Sequence, residues 1–262
     1  MVQLSVHDLP FMFGLLGNIV SFIVFLAPVP TFYKIYKRKS SEGFVAIPYL
    51  VALFSAGLLL YYAYLKKNAY LIVSINGLGC FIELAYISLF LFYAPRKSQI
   101  LTGWLMLLVV GALGTVTLFS CLFSKGSERV MIVGWICAVI NVAVFAAPLS
   151  IMRQVIRTKS VEFMPFTLSL FLTLCATMWF FYGFFKKDFY IALPNVLGFL
   201  FGVLQMLLYF VYNKDSNKED IKEILDLEEA AKSKGVEVSI KIEGDSDKAG
   251  GNQEIKCQRP RV

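Results

Sequence analysis

Phe25 to Pro30 reads FLAPVP, and Phe145 to Ser150 reads FAAPLS. Each of these runs closes a long apolar stretch, and each leads into a basic segment: YKIYKRKSS at Tyr33 to Ser41 and RQVIRTKSV at Arg153 to Val161. The two passages stand 120 residues apart, an offset that also relates Tyr62 to Tyr182. Asn76 recurs as Asn195 at an offset of 119, and Pro48 corresponds to Pro165 because the intervening loop is three residues shorter in the second copy. A chain that matches itself over such a distance contains two copies of one structural unit.

Outward from these passages, the apolar residues gather into seven blocks: Phe11 to Tyr33, Ile47 to Leu65, Tyr70 to Tyr93, Ile100 to Phe123, Val130 to Met152, Phe163 to Phe185 and Phe189 to Tyr212. Each is about 19 to 24 residues long, enough to cross a hydrocarbon core about 30 Å thick. Only 16% of the residues are charged, against roughly a quarter in soluble domains. In hydrocarbon every backbone polar group needs a partner within the protein, so such blocks must be helices or barrel strands. The short alternating segments of a barrel are absent. Ten residues, including His7 and Asp8, precede the first block without a basic n-region or cleavage site, so that block is expected to remain as helix one.

Three blocks belong to each copy and the fourth is left over. Four spans separate the two starts, so both copies enter the membrane from the same side. The expectation is an all-α membrane protein of seven transmembrane helices, arranged as two parallel three-helix bundles joined by an inversion linker helix. Its units are residues 1–95, 96–126 and 127–213, with a flexible cytoplasmic tail at 214–262. Parallel repeats about an axis along the membrane normal are one of the architectures of transporters, in which two halves rock about a central site.

Lys34, Lys37, Arg38, Lys39, Arg96, Lys97, Arg153, Arg157 and Lys159 fall on one side of the bundle, and Lys66, Lys67, Lys125, Arg129, Lys186 and Lys187 on the other. The excess on the first side predicts an outside N-terminus and a cytoplasmic C-terminus. The net charge of +7 is thereby read as topology, and no nucleic-acid partner is expected. Cys80, Cys121, Cys137 and Cys175 lie in or at the ends of spans and Cys257 in the tail, so no disulfide framework is legible.

Pro28, Pro48, Pro148 and Pro165 form two matched pairs near the cytoplasmic ends of helices one, two, five and six. Proline removes an N–H donor and crowds the carbonyl four residues back, so four bends at one depth would serve as hinges of an inner gate. The blander reading is that membrane helices tolerate proline. At the other side Tyr62 and Tyr182 are matched, and Asp188 can accept a tyrosine hydroxyl bond, which outlines an outer gate beside the alternative of interfacial aromatic anchoring.

Few polar residues lie well inside the spans. Asn76 and Asn195 are matched amides, each offering donor and acceptor to a neutral polyhydroxyl ligand; an isolated buried Asn more often serves helix packing, and the matching in both copies reverses that weighting. Ser21 matches Asn141, Ser55 matches Cys175, and Leu59 matches Trp179. Ser55 and Leu59, like Cys175 and Trp179, are four apart and share a helical face. Trp179 offers a flat apolar surface to a sugar ring, or to lipid and core. Glu83 is the acidic residue deep in a span; it invites a proton-relay reading, against that of a buried structural carboxyl. The sole histidine, His7, stands outside the spans, so no His-based triad or His-bearing metal cluster can be assembled. No enzyme activity, catalytic residue, metal or cofactor is expected.

Over about residues 5–213 the chain resembles the plant SWEET family of sugar transporters. The resemblance rests on GNIVSFIVFLAPVPTF at Gly17 to Phe32, INGLGC at Ile75 to Cys80, VFAAPLSIM at Val144 to Met152, KSVEFMPF at Lys159 to Phe166 and ALPNVLG at Ala192 to Gly198. It implies facilitated, bidirectional sugar movement without a nucleotide or obligatory ion coupling. It further implies Asn76 and Asn195 as the sugar-binding pair, lined by Ser21, Val24, Ser55, Leu59, Asn141, Val144, Cys175 and Trp179. The four prolines become an inner tetrad. Where many members carry tryptophan opposite the residue matched by Trp179, this chain has Leu59, so an aromatic clamp becomes one-sided. The likeness is greatest to the subgroup that exports sucrose at the plasma membrane, which favours sucrose over glucose, and it implies homo-oligomers, trimers among them, in contact with membrane lipid.

Lys218 to Lys234 is charged with Ile224, Leu225 and Leu227 interspersed, a pattern compatible with a short amphipathic helix. GDSDKAGGNQ at Gly244 to Gln253 reads as flexible tail. Other readings are a seven-helix receptor, which does not require the repeat, a proton-coupled carrier of another small solute, which would depend on Glu83, and a purely structural membrane protein.

Overall fold

A computed structural model of the chain describes residues 8–161 and 164–233. His7, Phe163, the Gly244 to Gln253 run and Cys257 lie outside the described residues. Nine helices are formed among the described residues: α1 (Leu9–Leu26), α2 (Val29–Arg38), α3 (Ile47–Leu65), α4 (Tyr70–Tyr93), α5 (Arg96–Phe123), α6 (Gly126–Val144), α7 (Ala146–Thr158), α8 (Phe166–Phe185) and α9 (Phe189–Ser233). With α1–α2 and α6–α7 each counted as one broken span, 7 helices are long and apolar enough to cross a membrane.

Several spans extend past their apolar blocks, the fifth among them, from Gly126 to Thr158. The first runs to Arg38 and the fourth begins at Arg96, because long basic side chains can keep their heads in water while their stems continue the helix. The seventh does not stop at Tyr212 but continues without a break to Ser233. The helix expected over Lys218 to Lys234 is a continuation of that span as far as it is described.

The repeat is written into the backbone. Among the described residues other than glycine, positive φ occurs at Lys39 (54°), Lys159 (58°), Asn68 (63°) and Lys187 (53°). These are two matched pairs, the first ending α2 and α7, the second in the turns before α4 and α9. A left-handed residue of this kind costs roughly 1–2 kcal/mol, so its recurrence marks the same local fold twice. Each lysine is held at its end of the repeat: Lys39 Nζ donates to Tyr93 Oη at 3.2 Å and Lys159 Nζ to Tyr212 Oη at 3.2 Å.

Within each half the third span is central. α4 packs on α1, α2 and α3, and α9 packs on α6, α7 and α8. The halves join crosswise, α1 against α8 and α3 against α6, while α5 lies on α3, α4 and α6. Gly17 permits the first of these approaches, since a Cβ there would stand 3.0 Å from the Trp179 ring.

The four prolines do not act alike. Pro28 lies between α1 and α2, and Pro148 lies in the first turn of α7 just past the break at Phe145. Pro48 and Pro165 instead sit at the starts of α3 and α8. The expectation of four bends is therefore corrected to two. At a helix start the missing N–H has no intrahelical acceptor to lose, so proline there begins a helix rather than bending one.

Candidate functional site

The two ends of the bundle differ in how the halves meet. Toward the turns before α4 and α9, one core contains Leu58, Tyr62 and Ile72 from the first half and Val133, Trp179 and Tyr182 from the second. Toward the prolines there are two cores, one around Phe32, Leu50 and Tyr86 and another around Met152, Val155 and Met164, each confined to its own half apart from α5. The structure is shut at the first end and parted at the second.

The shut end is fastened by Asp188, the residue before α9. Tyr62 Oη donates to its Oδ1 at 2.9 Å and is 3.0 Å from Oδ2. Lys66 forms a salt bridge to the same carboxylate and lies 3.3 Å from the Tyr62 hydroxyl. Tyr62 is 0% and Asp188 2% exposed, so the carboxylate meets the tyrosine hydroxyl out of water, where charge-assisted bonds are strong, while Lys66 reaches it from the partly wet rim. In the sequence Lys66 counts only among the loop charges that set orientation, although it stands four residues from Tyr62, one turn on at the end of α3. Tyr182 is buried and edges onto Trp179, with centroids 5.2 Å apart, and it supplies packing at this end.

Below that fastening lies a cavity of about 280 Å³, lined by residues that include Asn76, Asn195, Ser21, Asn141, Leu59 and Trp179. Each of three amides donates to a carbonyl one turn earlier on its own helix: Asn76 to Ile72 at 2.9 Å, Asn195 to Ile191 at 2.7 Å and Asn141 to Cys137 at 2.8 Å. One donor is thereby spent on orientation. For Asn76 and Asn195 the amide oxygen and the second N–H remain for a ligand.

The walls are tied across the halves. Trp179 Nε1 donates to Ser21 Oγ at 3.0 Å, and Ser21 Oγ is 3.1 Å from Cys175 Sγ. In the matching place Ser55 Oγ donates to Asn141 Oδ1 at 3.0 Å. Ser55 and Cys175 are thus behind the wall, holding Asn141 and Ser21, and do not line the cavity. Val24 is not among the lining residues either, whereas its counterpart Val144 is. On α1 the cavity-facing stripe runs through Ser21 and Phe25, four apart, and Val24 lies about 100° around the helix from Phe25.

Sequence reading missed an apolar part of the lining: Phe25, Ile72, Ile75, Phe145, Tyr190, Ile191 and Pro194. The signal was present in the offset, since Phe25 matches Phe145 and Ile72 matches Ile191. Both phenylalanines lie over matched glycines of the third span, where a Cβ would come to 2.6 Å from Phe25 at Gly79 and 3.0 Å from Phe145 at Gly198. Pro28 and Pro148 are half-buried, and Pro48 and Pro165 are exposed, at the parted end. Glu83 is 5% exposed on α4, away from the cavity lining, and its Oε2 has no hydrogen-bond partner among the described residues.

A neutral cavity with two amides open to a ligand and an indole among its aromatic rings suits a hydroxyl-rich solute with an apolar face. Comparison with known proteins agrees. The family model described as "Sugar efflux transporter for intercellular exchange" matches twice, at residues 11–98 and 131–217. The chain is 76% identical over 264 residues to the bidirectional sugar transporter NEC1 of Petunia hybrida, covering 100% of this chain and 99% of that one. It is 57% identical over 233 residues to the bidirectional sugar transporter SWEET9 of Arabidopsis thaliana, covering 84% of this chain and 90% of the other. The solved structure of a eukaryotic SWEET transporter superposes with a TM-score of 0.77 at 39% identity, over 80% of this chain and 100% of that one.

Proposed function

The chain belongs to the SWEET family of sugar transporters and is a multi-pass membrane protein, and from that premise we propose that it carries sucrose across the plasma membrane in both directions by alternating access, without ion coupling. The observation that carries this reading is the pair Asn76 and Asn195, brought from matched positions to one cavity beside Trp179. Each amide addresses sugar hydroxyls, and the indole covers an apolar ring face. In this reading residues 1–95 and 127–213 are the rocking units, 96–126 is the linker and 214–262 the tail. The Asp188 fastening is the outer gate, the proline end faces the cytoplasm, and the N-terminus is extracellular. The state described is then the inward-facing one. The chain assembles as a homo-oligomer, a trimer on the family pattern, and performs no catalysis.

Leu59 in place of a second large ring widens the wall opposite Trp179 and supports the disaccharide. A specific observation favours a hexose instead: about 280 Å³ is just under the roughly 300 Å³ at which ligand pockets begin. Uptake and efflux of labelled sucrose and glucose in a transport-deficient cell separate the two. Sucrose flux in both directions, lost in Asn76→Ala and Asn195→Ala at matched surface expression and persisting without a proton gradient, is the expected result. Glucose flux alone would move the assignment to hexose, and no sugar flux from correctly folded surface protein would overturn it.

A further inference from the structure

The break in the first span turns on one carbonyl. α1 ends at Leu26 and α2 begins at Val29, with Pro28 in the connection and Pro30 in the first turn of α2. Neither proline has an N–H, so neither can bond back to Val24 or Leu26 if the span straightens. The donor that can rejoin the two segments is the Val29 amide, and its helical acceptor is the Phe25 carbonyl four residues earlier. In this structure that carbonyl accepts the Tyr86 hydroxyl of α4 at 2.8 Å.

The second half shows the other arrangement. Phe145 matches Phe25 and Leu149 matches Val29, and there the Leu149 amide donates to the Phe145 carbonyl at 3.1 Å. The counterpart of Tyr86 is Gln205, which makes no hydrogen bond to that carbonyl. One molecule therefore displays both ways of satisfying the same acceptor. Tyr86 also grips the far side of the break, since its ring stacks on Phe32 of α2 with centroids 4.4 Å apart and planes 11° apart. Its hydroxyl holds the last turn of α1 while its ring holds the first turns of α2.

We propose that Tyr86 is a positioning residue of the transport cycle, whose hydroxyl competes with the Val29 amide for the Phe25 carbonyl. The bond to Tyr86 keeps the first span bent and the proline end parted. Transfer of the carbonyl to Val29 gives the first span the less interrupted form of the second half, where Phe145 alone parts α6 from α7, as that end closes. The hinge of the second half, satisfied along its own backbone, has no such alternative partner. This inference rests on the transporter reading, and the experiment separates the two.

Spin labels carried by non-natural residues at Tyr36 of α2 and Ile156 of α7, both exposed, report the separation of the halves at the proline end in liposomes, with no sugar required. Tyr86→Phe keeps the ring and removes the donor; it is expected to shift the ratio of parted to closed molecules toward closed by roughly three- to tenfold, the worth of one hydrogen bond. The half-saturation concentration for sugar entering from the proline end should rise by a similar factor relative to the other side. Val29→Pro removes the competing donor at a helix start that tolerates proline, and should shift the ratio the opposite way. Gln205→Leu should leave it unchanged. General loosening of the fold cannot produce opposite signs. An unchanged ratio in Tyr86→Phe, shifts of the same sign in Tyr86→Phe and Val29→Pro, or an equal shift in Gln205→Leu would overturn the switch. Absence of sugar flux in the parent chain would overturn the transporter reading while the label distances still decide the hinge.

Discussion

Lys66 and Lys186 stand at the same place in the two turns of the shut end, and Asn68 and Lys187 both adopt left-handed backbone there. The next residue is Asp188 before α9 but Ala69 before α4. The first half contributes the donors Tyr62 and Lys66, the second half contributes the acceptor, and the reverse fastening is not made. The cavity below is treated more evenly: each half supplies an asparagine and a phenylalanine, while the indole comes from the second half alone, as Trp179. A duplicated backbone keeps its geometry where the halves must move alike and divides its chemistry where one contact suffices.

The comparison is broken most severely at the one-sided fastening. Asp188→Ala leaves Lys66 and buried Tyr62 without their acceptor. Breaking a buried pair costs about 3–5 kcal/mol; because the Lys66 side chain keeps 31% exposure, about 2 kcal/mol is the appropriate figure after allowing for screening. Roughly thirtyfold loss of the shut state is expected, measured as reduced sugar exchange and increased accessibility of the cavity from that end. Adding Ala69→Asp to the same chain places a carboxylate on the other half, and partial recovery of exchange would show that either half can carry the acceptor.

The asparagines test evenness directly. Asn76→Ala and Asn195→Ala should each weaken sugar affinity by about tenfold, the worth of one to two hydrogen bonds, when binding is followed by calorimetry. Unequal losses would mean that the two sides of the cavity hold the sugar differently. On the aromatic wall, Trp179→Leu should weaken binding by roughly threefold to tenfold, whereas Leu59→Trp narrows the cavity and should lower the sucrose-to-glucose flux ratio. The smallest expected effect lies in the cross-half ties: Ser55→Ala removes one bond to Asn141 and should reduce affinity only about threefold. Ser21→Ala strips a partner from both Trp179 and Cys175 and should cost more in the same measurement.

How legible this was depended on chemistry. Seven spans could be read because lipid gives the backbone no partner, and the copies could be read because FLAPVP and FAAPLS are unusual inside apolar runs. Asn76, Asn195, Ser21 and Asn141 stood out as polar residues in apolar helices. Phe25, Ile72, Ile191 and Tyr190 did not, because an apolar residue facing a cavity looks the same in sequence as one facing lipid; only the offset could have singled out the first three. Lys66 was hidden among loop charges by its position just past the end of α3. Pro48 and Pro165 read as bends because sequence alone does not show whether a proline begins a helix or interrupts one.

The unbroken course of α9 has a mechanical consequence. From the end of the seventh span at Asn213 to Ser233 the helix forms a rod about 30 Å long at 1.5 Å per residue, projecting from the proline end and continuous with the helix that carries Asn195. It is a lever arm. A rotation of the second half by about 10° sweeps the far end of such a rod through about 5 Å, so anything that grips or loads the extension acts with leverage on the wall of the cavity.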